Sequence, residues 1–199
     1  MKTKEIIIEK AREEFLEKGF QEASLRKIAN QVGITATALY RHYSSKEDIF
    51  EAVVELAVKE WEALCVNEEI RQTGNARKNG IEAMWRDDLQ TKTMVDLIYK
   101  DFEIQKILFF RSKGTKYENY LHELVTRVQT ATLKFMKEIE EDGVAINHVD
   151  EKEMHLILSA QYSALLEMVD HDFSYDEAIH YAETISVFFT EGWRKFLGF

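Results

Sequence analysis

The sequence predicts an all-α protein, with a small N-terminal three-helix head joined by a shared helix to a larger helical body. Three observations carry this reading. There is no proline in 199 residues and only 8 glycines, which argues against a turn-rich β sandwich or barrel and fits long helices with short loops. Apolar residues recur at helical spacing along most of the chain. Hydrophobic residues make up 45% of it, enough for a core without a covalent staple. The single cysteine, Cys65, excludes an internal disulfide framework and a thiolate zinc site.

In the first helix, Ile7, Ile8, Ala11 and Phe15 form an apolar stripe, and Gly19 follows where a left-handed cap is expected. Ser24 precedes a second helix, LRKIANQV, as its N-cap; Leu25, Ile28, Ala29 and Val32 form the buried face. Gly33 ends that helix, and Thr35 is placed to cap a third, ATALYRHY, over 36–43. Ser44 or Ser45 caps a fourth, beginning KEDIFEAVVELAVKEWEALC, with Glu47 and Asp48 complementing its positive end. The segment NEEIRQTGNARKNG (67–80) is polar, contains two glycines, and reads as the least ordered stretch. Residues 81–111 read as helices broken near Lys100, and RSKGTKYENY as a turn into a long helix over 117–142. Two apolar-rich helices, over about 151–170 and 175–197, complete the chain. The expected division is a head of residues 1–46 and a body of 47–199.

Net charge is −10, yet its distribution is uneven. Residues 1–50 carry 9 Lys/Arg against 8 Asp/Glu, and between 20 and 46 Arg26, Lys27, Arg41 and Lys46 meet one acid, Glu22. The acid is concentrated in the body, so the overall charge does not exclude a nucleic-acid partner for the head.

Two short helices around a turn containing Gly33 have the organisation of a helix-turn-helix. A second helix of this kind fits a major groove about 12 Å wide and presents its N-terminal side chains to base edges. Thr35, Ala36, Thr37 and Ala38 are small enough for close approach, while Tyr40, His42 and Lys46 offer donors to phosphate. Leu39 and Tyr43 are expected to pack inward.

Residues 7–50 resemble the DNA-binding domain of the TetR family of bacterial transcriptional regulators. The matching elements are II..A...F...GF, S-L-R-K-I-A-x-x-V-G-I-T and A-L-Y-R-H-Y-x-S-K-E-D-I-F. The resemblance implies that Ser24, Tyr40, His42 and Lys46 contact phosphate. It makes Arg26, Thr35, Ala36, Thr37 and Arg41 the sequence-reading candidates. Ala38 departs from the glycine frequent there, and is small enough to leave docking intact. The resemblance further implies a C-terminal effector-binding and dimerisation domain, and hence a homodimeric repressor on a palindromic double-stranded DNA operator. A small-molecule effector of unknown identity would release it, with no cofactor or metal.

Candidates for the effector pocket are Trp61, Trp85, Tyr99, Phe102, Phe109, Tyr120, His122 and Gln161, aromatic or polar residues on apolar helix stretches. Each fits an ordinary core position as well. Candidates for the dimer interface are Ser159 and Ser163, which permit close helix approach, with Ile179, Ala182, Ile185 and Phe189. Two other classes compete. An all-α di-iron enzyme needs two Glu-x-x-His motifs, and the sequence offers one, Glu177 to His180. His148, His155 and His171 read as surface histidines, and no nucleophile or phosphate-loop motif is present, so no enzyme is expected. An adaptor that binds a protein through the same fold would have a degraded third helix, whereas Tyr40, His42 and Lys46 remain. Apolar runs are too short to span a membrane, and the N-terminus turns acidic early; a cytoplasmic location is the expectation.

Overall fold

The computed structural model describes residues 3–86 and 89–199. Its helices are α1 (Thr3–Glu22), α2 (Leu25–Val32), α3 (Ala36–Leu39), α4 (Lys46–Asn79), α5 (Leu89–Lys100), α6 (Phe102–Phe110), α7 (Tyr120–Glu141), α8 (Glu151–Asp170) and α9 (Tyr175–Leu197). A 3₁₀ helix, Ile81–Arg86, follows α4, and no strand occurs among the described residues. The chain forms two compact units: residues up to Glu60 with Asp101–Tyr120, and Trp61–Lys100 with Leu121–Phe199. This division departs from the expected boundary at 46/47, because the first turns of α4 and all of α6 complete the core of the head.

That core forms around a bend in α1. Gly19 has φ 71 and ψ 166, a conformation essentially closed to residues with a Cβ, rather than the left-handed cap expected there. The bend turns Phe20 inward, where its ring meets Phe50 edge-on at 5.4 Å while Phe15 meets Phe50 at 5.1 Å. Each such aromatic pair adds roughly 0.5–1.5 kcal/mol beyond the area it buries. Ile49, Val53 and Val54 of α4 are buried with them. The amide of Phe20 donates to the carbonyl of Arg111 at 2.9 Å, which ties the end of α6 to the bend. At the other end of α6, Arg12 donates to Asp101 and, at 2.9 Å, to Glu103. Asp101 is also the α6 N-cap, and it accounts for the break expected near Lys100.

In the second unit, α8 is capped by Asp150 and α9 by a capping box in which Ser174 and Glu177 bond reciprocally. The box employs the carboxylate of the Glu-x-x-His motif as a helix cap. Met154, Leu158, Leu165, Leu166 and Val169 of α8 are buried, as are Ala178 and Ala182 of α9. Tyr181 donates to the carbonyl of Ala164 at 3.0 Å, joining the two helices.

Two expectations are corrected. The segment 67–80 is not irregular: α4 continues through it to Asn79. Its Glu68 and Ala76 are buried, Arg71 pairs with Glu68, and Arg77 reaches Glu138 on α7 at 2.8 Å, so tertiary contacts outweigh the weak propensity of Gly74. The long helix begins at Tyr120 rather than 117. Thr115 donates to the Ser112 carbonyl at 2.7 Å and accepts from the Tyr117 amide at 3.0 Å, a turn that takes up those residues.

Two glycines should therefore respond oppositely to alanine. Gly19→Ala is expected to destabilise the protein by roughly 1–3 kcal/mol. At Gly74, where a Cβ meets nothing within 4 Å, Gly74→Ala should stabilise it by roughly 0.5–1 kcal/mol. Urea denaturation midpoints of the two variants measure both.

Candidate functional site

The helix-turn-helix geometry rests on local bonding. At the end of α2, Gly33 is left-handed (φ 78, ψ 27), its amide donates to the Asn30 carbonyl at 3.1 Å, and the Ile34 amide reaches Ala29 at 3.0 Å. This 6→1 and 5→2 pair is a Schellman motif and fixes the exit from α2. Thr35 Oγ1 then accepts from the Ala38 amide at 3.1 Å, starting α3. The helix is shorter than the expected 36–43. After Leu39 the chain tightens into i→i+3 turns, with Arg41 bonded to Ala38 and His42 to Leu39. Leu39 is fully buried and Tyr43 half-buried beneath Lys4, whose ammonium lies 5.4 Å from the ring centroid. Burial pushes the Tyr43 phenol above its ordinary value.

The outer side of this motif carries most of the candidate DNA contacts. Ser24, Arg26, Thr35, Thr37, Tyr40 and Arg41 are exposed, while Ala36, His42 and Lys46 are half-buried. Tyr40 keeps 52% of its surface in solvent, unusual for an aromatic residue. Arg26 and Arg41 form no ion pair among the described residues. Ser24 has a structural task as well, since its Oγ accepts from Lys27 N at 3.4 Å and its own amide donates to the buried carboxylate of Glu14 at 3.1 Å. Lys46 is the most occupied of the set. Its ammonium donates to the carbonyls of Gln21 and Ala23 at 3.1 and 3.2 Å and lies 4.6 Å from the Phe20 ring centroid. It closes the C-terminal end of α1, a role its position before an N-terminal helical turn did not reveal.

In the second unit, α4, α5, α7 and α8 enclose a cavity of about 260 Å³ walled mainly by Trp61, Leu64, Met94, Val128, Phe135 and Tyr162. Cys65 also opens onto it, and burial pushes its thiol above the ordinary range. Of the eight pocket candidates, Trp61 is the one in this wall. Trp85 packs its ring on Phe199 at 5.5 Å, Tyr99 donates to the Phe173 carbonyl at 2.6 Å, and Gln161 accepts from Trp193 Nε1 at 2.7 Å. His122 faces His155. Phe102, Phe109 and Tyr120 belong to the first unit, where Tyr120 donates to the Val58 carbonyl at 3.3 Å. Among the dimer candidates, Ala182 is buried and Ser159, Ser163, Ile179, Ile185 and Phe189 are half-buried.

Residues 7–53 match the family model described as "Bacterial regulatory proteins, tetR family". The head of this chain is thus similar to the DNA-binding region of the TetR family. It is 28% identical over 123 residues to the "HTH-type transcriptional repressor AcnR" of Corynebacterium diphtheriae, covering 60% of this chain and 59% of that protein. It is 38% identical over 52 residues to the "HTH-type transcriptional repressor BepR" of Brucella suis, covering 26% and 25%. The chain thus spans less than two thirds of the curated relatives it matches. Among solved structures, NalD of Pseudomonas aeruginosa, "the secondary repressor of MexAB-OprM multidrug efflux pump", superposes with a TM-score of 0.61 at 20% identity, covering 98% of this chain and 96% of NalD. The TetR-family regulator PfmR of Thermus thermophilus gives 0.59 at 24% identity, covering 90% and 94%. These likenesses extend the fold over nearly the whole chain.

Within this TetR-like fold, the cavity wall was hidden from sequence by its ordinariness. Val128 and Phe135 sit on the α7 stripe, where helical periodicity assigns them to a core without saying that a void lies beside it. Lys46 and Tyr40 should separate by stability. Lys46→Ala, which removes two bonds from a charged donor, is expected to cost about 1–3 kcal/mol. Tyr40→Ala should stay within about 0.5 kcal/mol of wild type. Thermal and urea unfolding of both variants check this.

Proposed function

We propose that the protein is a homodimeric transcriptional repressor that binds a palindromic DNA operator through α3 and leaves it when a small apolar effector enters the second unit. The observation that carries the DNA assignment is the outward set on the Schellman-fixed motif: Arg26 and Arg41, without ion pairs among the described residues, beside exposed Tyr40 and Thr37. In a chain of net charge −10, two cations left uncompensated on one small motif support an anionic partner there. Both curated relatives described above are named as repressors, which supports the sign of regulation.

The dimer is supported by apolar surface on α8 and α9. Leu156, Val187 and Phe188 expose 67%, 69% and 75% of their surface, and side chains of this kind grouped on two helices favour a twofold partner. The effector site is the cavity beside Trp61 and Tyr162. Because α4 begins at Lys46 in the head and runs on to Asn79 in the second unit, a ligand that shifts its C-terminal half acts on the head through the helix itself. This reading needs no catalytic role.

Selection from a randomised duplex pool should enrich an inverted repeat. Its binding should weaken steeply with salt, by a slope of about 0.9 per phosphate contacted. Arg41→Ala and Tyr40→Ala should weaken binding at unchanged helicity, each by roughly 10-fold or more. No enrichment, or binding indifferent to both variants, overturns the assignment. The Cys65 thiol reports on the effector: raised by burial, it should alkylate more slowly at pH 7.5 in the folded protein than after urea unfolding. A genuine effector should slow it further, read by mass spectrometry.

A further inference from the structure

His122 on α7 and His155 on α8 are 33 residues apart in sequence, yet His155 Nε2 lies 3.2 Å from His122 Nδ1. The rings meet edge-on, with centroids 4.8 Å apart and an interplanar angle of 70°. The third member is Gln129. Its Nε2 donates to the backbone carbonyl of Glu151 at 2.7 Å, which leaves its Oε1 to accept from His155 Nδ1 at 2.8 Å. Nδ1 of His155 therefore carries the proton, and Nε2 presents a lone pair toward His122. The side chain that holds this tautomer is itself fixed by the backbone of α8.

We propose that His122 and His155 form a binding site for one divalent transition-metal ion of the imidazole-preferring kind, copper, nickel or zinc. Two imidazole nitrogens on one ion at about 2.0–2.1 Å stand about 2.8–3.4 Å apart, from square-planar to tetrahedral geometry. The pair already holds that separation. In the unloaded pair, one proton between Nε2 and Nδ1 occupies the place of the ion. Gln129 supplies what a metal-bound histidine requires, an acceptor for the opposite N–H that fixes ring orientation and tautomer; it is a positioning residue. Among the described residues no third His, Cys, Asp or Glu joins the pair in a metal-holding group, so the remaining positions on the ion fall to water. The site bridges α7 and α8, lies apart from the motif that carries the DNA assignment, and does not depend on that assignment.

The test is titration of the full chain with Cu²⁺, Ni²⁺ or Zn²⁺ chloride in a non-chelating buffer. Calorimetry gives the stoichiometry, and electron paramagnetic resonance of the copper form counts ligating nitrogens. The expected result is one ion per chain bound through two imidazole nitrogens. His122→Ala or His155→Ala should weaken binding at least 10-fold and reduce the count to one. His180→Ala, on α9, should change nothing. Gln129→Leu should weaken binding by about 10–100-fold, and Gln129→Glu, which retains the acceptor for His155 but loses the donor to the Glu151 carbonyl, should recover part of that loss. His122 is exposed, so its variant folds whatever happens at His155. Equal affinity in wild type and both histidine variants, absence of binding at micromolar metal, or a single-nitrogen spectrum in wild type overturns the proposal.

Discussion

The head of this protein is organised by one backbone constraint, the bend at Gly19. Because that residue adopts angles that a side chain would oppose, the chain turns at the end of α1 instead of continuing straight, and Phe20 packs against both Phe15 and Phe50. The carbonyls of Gln21 and Ala23, left at the end of the bent helix, are taken up by the Lys46 ammonium, which also covers the Phe20 ring. Glu14, one residue before Phe15, accepts from the Ser24 amide, and its other oxygen lies 2.6 Å from the Lys27 ammonium. The start of α2 is thus set by the same turn of α1, and the Schellman motif at Gly33 carries that placement to α3. Side chains on a helix of one turn are held in place because the contacts beneath them fix its start and its direction.

Much of this was legible in the sequence. The absence of proline, the periodic apolar stripes and the caps Ser24 and Thr35 each act locally, so a reading by local rules found them. Three features were not legible, for one physical reason: they depend on partners far along the chain. The helix through 67–80 is held partly by Glu138, more than sixty residues away. The association of α6 with the head depends on Arg12 meeting Asp101 and Glu103. The cavity is bounded by ordinary core residues from four helices, and a void leaves no mark in any one of them. His122 and His155 illustrate the same limit, since their spacing in sequence resembles no ligand motif.

The TetR-like reading also explains the charge pattern. An acidic protein that binds DNA must keep its carboxylates away from the phosphates or neutralise them locally. In the head several acids are engaged: Glu14 and Glu17 with Lys27, Glu51 with Lys116, Glu103 with Arg12. Glu51 and Glu14 raise the proton affinity of the lysines they face. Arg26 and Arg41 have no such partner among the described residues, and they flank the turn that presents α3. The exposed pairs among these, Glu17 with Lys27 and Glu51 with Lys116, add little to stability; here they shape the field that a polyanion meets.

The central claim is that α3 enters the major groove of two half-sites related by a twofold axis. Tethered cleavage tests it most directly: an iron chelate attached at Thr37→Cys, in a Cys65→Ser background, with the operator fragment as substrate. The account predicts two symmetric cleavage clusters, separated by one helical turn of about 34–36 Å or a multiple of it. A single cluster, or a diffuse pattern matching that from a chelate placed at Lys195→Cys on α9, would contradict it.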